Sequence, residues 1–389
     1  MSKGGEENNY AASKPPPLEG FGEAGRGRHR IIIAGGGTGG HIFPAIAIAN
    51  AIKKLASDSE ILFVGAKGKM EMEKIPQAGY KIIGIDIAGF NRSSLIKNIG
   101  LPFKLIKSFL QVRKIVNAFK PVAVIGVGGY SSFPVLRYAQ AKGIFTFIHE
   151  SNSFAGKSNI LLGKKATTVF TATQGMEGFF PAATIKVTGN PVRSAIVNSI
   201  ITRKEGILFF DLDPSKKTVL VTGGSLGAKG INEAIDAHLA MFESNEVQLI
   251  WQTGKTFAAR AKESAAGKNG IWTSEFIVKM EFAYAAADVV VSRSGAMAVA
   301  ELSVAKKPVI FVPFPFAAED HQTVNAKELV DKEAAELVKD NEATEKLVSA
   351  IISLIKNEPK QQILINNIAK LAVLNADEVI AKEILKRIG

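Results

Sequence analysis

The sequence contains no cysteine among its 389 residues, which excludes disulfide bonds and thiolate metal sites. It also has no run of about 18 apolar residues, so we expect no helix that crosses a membrane. Residues 1–28 lack the apolar core of a signal peptide, and their polar, Gly- and Pro-rich composition predicts a disordered tail. Together these absences fit a protein of the cytosol.

Basic residues are concentrated in the first half of the chain. Residues 1–200 contain 25 Lys and Arg against 11 Asp and Glu, a net charge of +14. Residues 201–389 contain 23 against 25, a net charge of −2. The first half is therefore expected to meet an anionic partner, either nucleic acid or an anionic membrane surface. No nucleic-acid recognition motif accompanies the charge, so we favour the membrane surface and expect no nucleic acid.

Short apolar runs alternate with helical patterns in both halves of the chain. Near-continuous apolar strands between helices are typical of parallel sheets that are covered on both faces. Each half begins with a strand, a glycine turn and a helix, which predicts an α/β protein of two Rossmann-like, doubly wound domains. The predicted strands are RIIIAG, EILFVG, KIIGIDI, PVAVIGVGG, IFTFIHE and ATTVFTA, then KTVLVTGG, VQLIWQTG, FIV, DVVVSRSG and KPVIFVPFP.

The predicted domain boundary lies in the segment VTGNPVRSAI, where Gly-Asn-Pro interrupts the pattern. We predict an N-terminal domain over residues 29–190 and a C-terminal domain over residues 191–372. The last segment, residues 373–389, is expected to form a helix that packs back onto the first domain.

The segment GGGTGG, residues 35–40, lies between the first strand and the first helix. A helix N-terminus has unpaired N–H groups and a partial positive charge of about +0.5, and glycines in front of it let a phosphate approach closely. The segment fits Gly-x-Gly-x-x-Gly, but no acidic residue ends the second strand, which argues against NAD. It also lacks the Lys-Ser/Thr pair of a P-loop. Tight packing of strand against helix is the alternative reason for these glycines.

Further glycine turns follow predicted strands at residues 126–134, 223–227 and 292–301. In open α/β sheets, ligands bind at the carboxyl ends of the strands, where all these turns are expected. Two such domains facing each other form a cleft with helix N-termini on both walls. A cleft of this kind suits a nucleotide diphosphate on one wall and a second anionic substrate on the other.

Eight motifs occur in the order found in a known family. They are GGGTGGHIFPAIAIA, GVGGYSSFP, IHESNSFAG, GNPVR, VTGGSLGA, EFI, SRSGAMAVAEL and EDHQTVNA. Over residues 29–389 the chain therefore resembles the MurG family of peptidoglycan glycosyltransferases. The resemblance implies the GT-B fold, two Rossmann-like domains with the active site between them. It also implies inverting transfer of N-acetylglucosamine (GlcNAc) from UDP-GlcNAc to the C4 hydroxyl of N-acetylmuramic acid (MurNAc) in lipid I, which yields lipid II.

The same resemblance implies a location and partners. The protein is expected to be a peripheral protein at the cytoplasmic face of the inner membrane. Its expected partners are UDP-GlcNAc, lipid I, an anionic membrane surface and other proteins of cell-wall synthesis. No cofactor and no metal ion are expected.

Substrate contacts of the family can be transferred to matching positions of this chain. Thr38, Gly39 and Gly40 match the loop beside the donor sugar and the acceptor. The other matches are Asn152 and Gln322 for GlcNAc, Arg193 and Ser225 near the diphosphate, Ile277 for the uracil, Ala296 and Met297 for the helix start at the diphosphate, and Glu301 for the ribose hydroxyls.

The chain departs from the family pattern in two loops. Leu226 stands where the family often has Gln, and AMAVAE replaces the more usual ALTVSE. Backbone contacts rather than side-chain hydrogen bonds are therefore expected at these positions.

Two residues are candidates for the general base. His41 follows the first glycine loop and titrates near neutral pH, so we predict that it is the base or orients the base. The alternative is that it caps or packs the first helical turn. Glu150, which ends a strand beside Asn152, is the second candidate, and ordering of that loop is its alternative role. An interdomain salt bridge is the alternative for Arg193.

A literal Asp-x-Asp occurs at Asp211 and Asp213, a pattern typical of metal-dependent transferases of another fold. It precedes Pro214 in a turn that leads into the second domain, far from the carboxyl ends of the strands. We therefore predict that the helix dipoles and Arg193 stabilise the leaving group without a metal ion.

Residues 90–120 contain seven Lys and Arg and no acidic residue, interleaved with Leu, Ile and Phe. This pattern resembles an interfacial amphipathic surface, and each basic residue near an anionic leaflet contributes about 1 kcal/mol. A solvated basic face is the alternative.

Two other functions remain open from the residues. One is another UDP-sugar GT-B protein, such as a diacylglycerol glycosyltransferase or a UDP-GlcNAc 2-epimerase. The other is a non-catalytic nucleotide-sugar-binding partner of a membrane complex.

Overall fold

The computed structural model describes residues 29–87, 101–317 and 320–389. The predicted disordered tail, residues 1–28, lies outside these ranges, as does the first part of the basic stretch, residues 90–100. None of the helices within the three ranges combines the length and hydrophobicity of a bilayer-spanning segment.

The first domain is built on a seven-stranded parallel sheet. Its strands are β1 (Arg30–Ala34), β2 (Glu60–Ala66), β3 (Lys81–Ile85), β4 (Ala123–Gly126), β5 (Phe145–Glu150), β6 (Thr168–Thr171) and β7 (Ile185–Val187). Their order in space is β3-β2-β1-β4-β5-β6-β7. This is the Rossmann order, in which the direction of winding reverses between β1 and β4.

Helices cover both faces of this sheet. They are α1 (Gly39–Leu55), α2 (Glu71–Gln77), α3 (Leu101–Phe119), α4 (Ser132–Ala141) and α5 (Lys157–Gly163). Because side chains alternate along a strand, Ile31 and Ile33 pack with α1, whereas Ile32 and Ala34 pack with α3 and α4. The first strand is therefore buried on both sides, as its continuous apolar run predicts.

The second domain repeats the same plan with six parallel strands. They are β8 (Lys217–Thr222), β9 (Val247–Gln252), β10 (Ile271–Ser274), β11 (Val289–Ser292), β12 (Val309–Phe311) and β13 (Glu336–Leu337). Their order is β10-β9-β8-β11-β12-β13, so the winding reverses between β8 and β11. The prediction of two Rossmann-like domains is confirmed.

The remaining helices lie in the connection between the sheets and around the second sheet. They are α6 (Ser194–Val197), α7 (Arg203–Phe209), α8 (Lys229–Ala237), α9 (Leu239–Ser244), α10 (Ala258–Ser264), α11 (Met280–Ala286), α12 (Ala296–Ala305), α13 (His321–Asp331), α14 (Ala343–Lys356), α15 (Glu358–Ala369) and α16 (Ala376–Ile388). The described residues also include the 3₁₀ turns Ala182–Thr184 and Asp340–Glu342.

The strand prediction was wrong at one place and incomplete at two. The run FIV is not a strand, because the third strand of the second domain, β10, ends at Ser274, before this run. Every residue of β10 is half-buried at the sheet edge, so its apolar pattern is weak. The short strands β7 and β13, of three and two residues, were not predicted because such lengths carry no periodic signal.

The last helix, α16, lies against the first domain. Ile380, Ala381 and Ile384 belong to the same apolar cluster as α1. Lys54 on α1 forms an ion pair with Glu378 at 2.7 Å. The chain thus crosses between the domains twice, once after β7 and once before α16.

Candidate active site

A cleft of about 940 Å³ lies between the two sheets. Both glycine loops that follow the first strands, β1 and β8, border it, so it occupies the two places where the winding reverses. Twelve of the thirteen predicted site residues line it: Thr38, Gly39, Gly40, His41, Asn152, Arg193, Ser225, Ile277, Ala296, Met297, Glu301 and Gln322. The thirteenth, Glu150, lies behind the loop that carries Asn152.

Glycine is needed in the first loop for two different reasons. Gly35 and Gly36 are closely approached by the protein itself, since a Cβ at either position would overlap Val127 or Glu71. Gly37 (φ +90°) has no such neighbour within 4 Å and faces open space. Tight packing therefore explains the first two glycines, and the positive φ explains Gly37.

His41 lines the cleft, and one of its ring nitrogens contacts the backbone of the first glycine loop. Its Nδ1 lies 3.0 Å from the carbonyl oxygen of Gly36. A carbonyl can only accept, so Nδ1 carries the proton and the neutral ring has its lone pair on Nε2. Gly128 (φ +95°) makes room for the ring, because a Cβ there would lie 2.7 Å from Nε2.

Burial keeps His41 neutral at neutral pH. Burial lowers its pKa from the ordinary value of 6.5, against the opposing effects of the Gly36 carbonyl and of the carboxylates of Glu150 and Glu71. An unprotonated imidazole with a defined acceptor nitrogen is the form that a general base requires.

Glu150 orders the loop that follows β5. Its Oε1 accepts hydrogen bonds from the backbone and side-chain N–H groups of Asn152, at 3.1 and 3.3 Å. Its Oε2 accepts from the Gly156 backbone at 3.1 Å and from Asn159 Nδ2 at 2.8 Å. With both oxygens engaged in this way, the geometry favours the loop-ordering role over proton abstraction.

Arg193 and Glu301 form a buried pair on the wall of the cleft. The guanidinium donates two parallel hydrogen bonds to the Glu301 carboxylate, at 2.9 and 3.0 Å. Tyr284 Oη donates a third to Glu301, at 3.1 Å. The guanidinium also stacks over the ring of Phe43, 4.3 Å from its centroid, so a side chain of α1 in the first domain supports Arg193.

The second glycine loop meets the first across the cleft. The backbone N–H of Gly39 donates to Ser225 Oγ over 3.4 Å. Next to it, Leu226 is exposed in the cleft, which leaves an apolar surface where the family often has Gln. Ile277 donates its N–H to Gln252 Oε1 at 2.9 Å, so a nucleobase contact through this group requires Gln252 to release it.

The start of helix α12 faces the cleft beside Gln322. Gly295 is the N-cap, and the first turn contains no acidic residue, so its N–H groups present positive potential. Ser294 Oγ donates to the Gln322 carbonyl at 2.7 Å, while Gln322 Oε1 accepts from the Phe314 backbone at 3.0 Å. Gln322 is thereby held beside Gly295, the N-cap of α12.

Three residues that contribute to this site were not predicted. They are Phe43, Tyr284 and Glu71, which contact Arg193, Glu301 and the first glycine loop respectively. In the sequence each looks like an ordinary member of a helix. Their roles depend on residues that are distant in the sequence and close in space. Local sequence patterns do not contain this information.

Asp211 and Asp213 lie outside the cleft. Asp213 Oδ1 accepts from the backbone and side chain of Ser215, in the turn before β8. Within the three described ranges, no three His, Asp or Glu side chains are grouped so that they could hold a metal ion.

Comparison with known proteins matches both halves of the chain to one family. Residues 31–171 match the glycosyltransferase family 28 N-terminal domain, and residues 218–384 match the glycosyltransferase family 28 C-terminal domain. Two curated relatives are UDP-N-acetylglucosamine–N-acetylmuramyl-(pentapeptide) pyrophosphoryl-undecaprenol N-acetylglucosamine transferases. The protein from Phocaeicola vulgatus is 49% identical to this chain, over 92% of this chain and 96% of its own length. The protein from Parabacteroides distasonis is 47% identical, over 92% of this chain and 98% of its own length.

A solved structure agrees with these relatives. The crystal structure of MurG from Acinetobacter baumannii superimposes with a TM-score of 0.69 at 28% identity, covering 92% of this chain and 99% of the other. The fold is therefore GT-B, and the chain is a glycosyltransferase. Its two matching domains and its nearly full-length similarity to the curated relatives show that this chain belongs to the MurG family within glycosyltransferase family 28.

Proposed function

We propose that this protein is an inverting glycosyltransferase that moves GlcNAc from UDP-GlcNAc to the C4 hydroxyl of MurNAc in lipid I, making lipid II. One observation carries the proposal. His41, with its lone pair on Nε2, shares a cleft with the N-termini of α1 and α12, and neither helix has an acidic residue in its first turn. The cleft thus combines a proton acceptor with two positively polarised ends that suit phosphate.

The second domain supplies the donor site. The N-terminus of α12 and Arg193 face the diphosphate, and the backbone around Ile277 faces the uracil. Glu301 has room for the ribose, because an ionised carboxylate has about four acceptor positions and Arg193 and Tyr284 occupy three. Asn152 and Gln322 then face the GlcNAc hydroxyls from opposite sides of the cleft.

The reaction follows from this arrangement. The C4 hydroxyl oxygen of MurNAc attacks C1 of GlcNAc and transfers its proton to His41 Nε2. The bond between C1 and the β-phosphate oxygen breaks, and UDP leaves with the electron pair. A single displacement inverts C1, and the negative charge on UDP is stabilised by the α12 N-terminus and Arg193.

The first domain provides the membrane contact. On α3, Phe103, Ile106 and Leu110 are 76%, 61% and 56% exposed, and their spacing places them on one face. The exposed basic residues Lys104, Lys107 and Arg113 accompany them. We call these six residues the α3 membrane face, and they fit docking at the cytoplasmic leaflet, where lipid I and other cell-wall synthesis proteins are reached.

A transfer assay tests the function. UDP-GlcNAc labelled in the sugar is incubated with a lipid I analogue, and the expected product is a lipid-linked disaccharide together with free UDP. A 2-epimerase converts the labelled sugar nucleotide without acceptor, a diacylglycerol glycosyltransferase requires diacylglycerol, and a binding protein releases no UDP. Any of these three results, without disaccharide formation, contradicts the proposal.

A further inference from the structure

A buried carboxylate that the mechanism above does not use lies beneath the first glycine loop. Glu71 is the first residue of α2 and is 1% exposed. Its Oε1 accepts the backbone N–H of Ala66 at 2.9 Å, and its Oε2 accepts the backbone N–H of Gly37 at 2.8 Å. Glu71 therefore ties the end of β2 to the loop that follows β1.

Two glycines leave the space that this carboxylate occupies. A Cβ at Gly36 would overlap the Glu71 carboxylate, and a Cβ at Gly65 would overlap its side-chain carbons. Gly36 also donates its N–H to the carbonyl of Gly128 over 3.3 Å. The peptide that follows Gly36 is thus held in place by its neighbours on each side.

One peptide group connects Glu71 to His41. The C=O of Gly36 and the N–H of Gly37 belong to the same planar unit, because the amide bond between them is rigid. Glu71 accepts from the N–H at 2.8 Å, while the C=O accepts from His41 Nδ1 at 3.0 Å. A carboxylate that accepts from the N–H polarises the amide and makes its carbonyl oxygen a stronger acceptor.

We propose that Glu71 is a positioning residue for His41, which it reaches through the Gly36–Gly37 peptide group. It holds the Nδ1–H tautomer, orients the ring and stabilises the imidazolium that forms when Nε2 takes the proton. The arrangement resembles the carboxylate–histidine pair of a catalytic triad, with one peptide group inserted between its members. The proposal rests on the proposed role of His41 as the base.

Other charged and titratable groups also face His41. The β5 strand brings Glu150 and His149 close to it, and α2 contributes Glu71. Glu150 is occupied by its own loop, whereas Glu71 is linked to the imidazole through hydrogen bonds. A change at Glu71 is therefore expected to alter both the tautomer and the charge balance of His41.

The variant Glu71→Gln tests the proposal against the matched control Glu73→Gln. Glu73 lies on the same helix but its side chain is 61% exposed, so its replacement makes the same charge change without touching the loop. We expect Glu71→Gln to lower kcat by roughly 10- to 100-fold, by analogy with the loss of a partner that orients a metal-binding histidine. The acid limb of the pH profile should move to lower pH, because the carboxylate raises the pKa of His41. Glu73→Gln should change neither kcat nor the pH profile.

A spectroscopic measurement separates this proposal from the role of His41 itself. ¹⁵N-histidine NMR of the unmodified protein is expected to show His41 protonated at Nδ1, and Glu71→Gln is expected to shift this equilibrium toward Nε2–H. An Nε2–H tautomer in the unmodified protein overturns the proposal even if Glu71→Gln does not fold. An unchanged tautomer and pH profile in folded Glu71→Gln also overturns it. If His41→Ala keeps full turnover, it is the role of the base that fails.

Discussion

The most consequential single residue is His41, whose tautomer is set by one backbone carbonyl. Because Nδ1 donates to Gly36, the lone pair lies on Nε2, and burial keeps the ring neutral by lowering its pKa. A group with a lowered pKa loses its proton at lower pH than usual. Turnover is therefore expected to be complete at neutral pH and to fall only below the ordinary histidine pKa of about 6.5.

Replacement of His41 gives the first prediction. His41→Ala removes the proton acceptor, so kcat should fall by roughly 10²–10⁴-fold, the contribution typical of a general base. Steady-state kinetics with UDP-GlcNAc and a lipid I analogue measure this, with binding of UDP as the control for an intact donor site. Near-normal turnover in the variant is incompatible with His41 as the base.

The pair of Arg193 and Glu301 gives the second prediction. Arg193 pairs with Glu301 of its own domain, so this is not the interdomain salt bridge given as its alternative, and the pairing uses two of the five N–H groups of the guanidinium. Glu301→Ala removes the acceptor that we propose for the ribose and also releases Arg193. A hydrogen bond to a charged group contributes about 1.5–3 kcal/mol, so the KM for UDP-GlcNAc should rise roughly 10- to 100-fold.

The variant Tyr284→Phe provides the matched control for this pair. It removes only the hydrogen bond from Tyr284 to Glu301 and leaves the guanidinium pairing intact, so a smaller rise in KM is expected. A fall in kcat for Glu301→Ala that exceeds the rise in KM would count against a ribose contact.

At the scale of secondary-structure elements, α3 has one buried face and one exposed face. Val112, Ile115, Val116 and Phe119 pack into the first domain, whereas the α3 membrane face points outward. A solvated basic face would not require exposed Phe103 and Ile106 between the lysines. Their presence favours insertion into a lipid surface.

Charge reversal on α3 gives the third prediction. Changing Lys104, Lys107 and Arg113 to Glu should abolish binding to anionic liposomes, since each basic residue contributes about 1 kcal/mol and reversal adds repulsion. Co-sedimentation with phosphatidylserine vesicles measures the change. The control makes the same reversal at the exposed lysines of the second domain and α16: Lys332, Lys346 and Lys382. Binding that survives the α3 reversal rules out the membrane face.

At the scale of the whole molecule, the two domains are linked on several sides of the cleft. Gly39 contacts Ser225, Phe43 supports Arg193, and Lys74 on α2 lies 4.8 Å from the ring centroid of Phe276. Helix α16 adds a separate connection at the back of the first domain. The cleft is therefore built from both domains, and neither half alone contains the complete site.

The positive ends of α1 and α12 give the fourth prediction. If these helix ends and Arg193 stabilise departing UDP, transfer should proceed at full rate in the presence of EDTA. The initial rate of lipid II formation before and after chelation is the measurement, and re-addition of Mg²⁺ is the control. A loss of activity that Mg²⁺ restores would contradict the metal-free mechanism.

The sequence predicted most of the fold because the patterns that indicate strands and helices are local in the sequence. Continuous apolar runs such as the one over Ile31–Ile33, followed by glycine and a helical pattern, predict a buried parallel strand with no knowledge of its neighbours. The same locality explains the errors. The strands β7 and β13 are too short for periodicity, and the apolar run at residues 276–278 imitates a strand although it lies in a loop.

The sequence also determined which residues gather in the cleft, because ligand contacts follow the carboxyl ends of strands and the ordered motifs mark those ends. Only the tertiary structure decided how these residues are connected. Gly37 and Glu71 are 34 residues apart, and Arg193 and Glu301 are 108 apart. Such pairs form only where the whole chain places a donor and an acceptor within about 3 Å of each other, and hydrogen bonds lose their strength over fractions of an ångström. Periodicity carries no information at that precision, so the roles of Glu71, Tyr284 and Phe43 became visible only in the folded molecule.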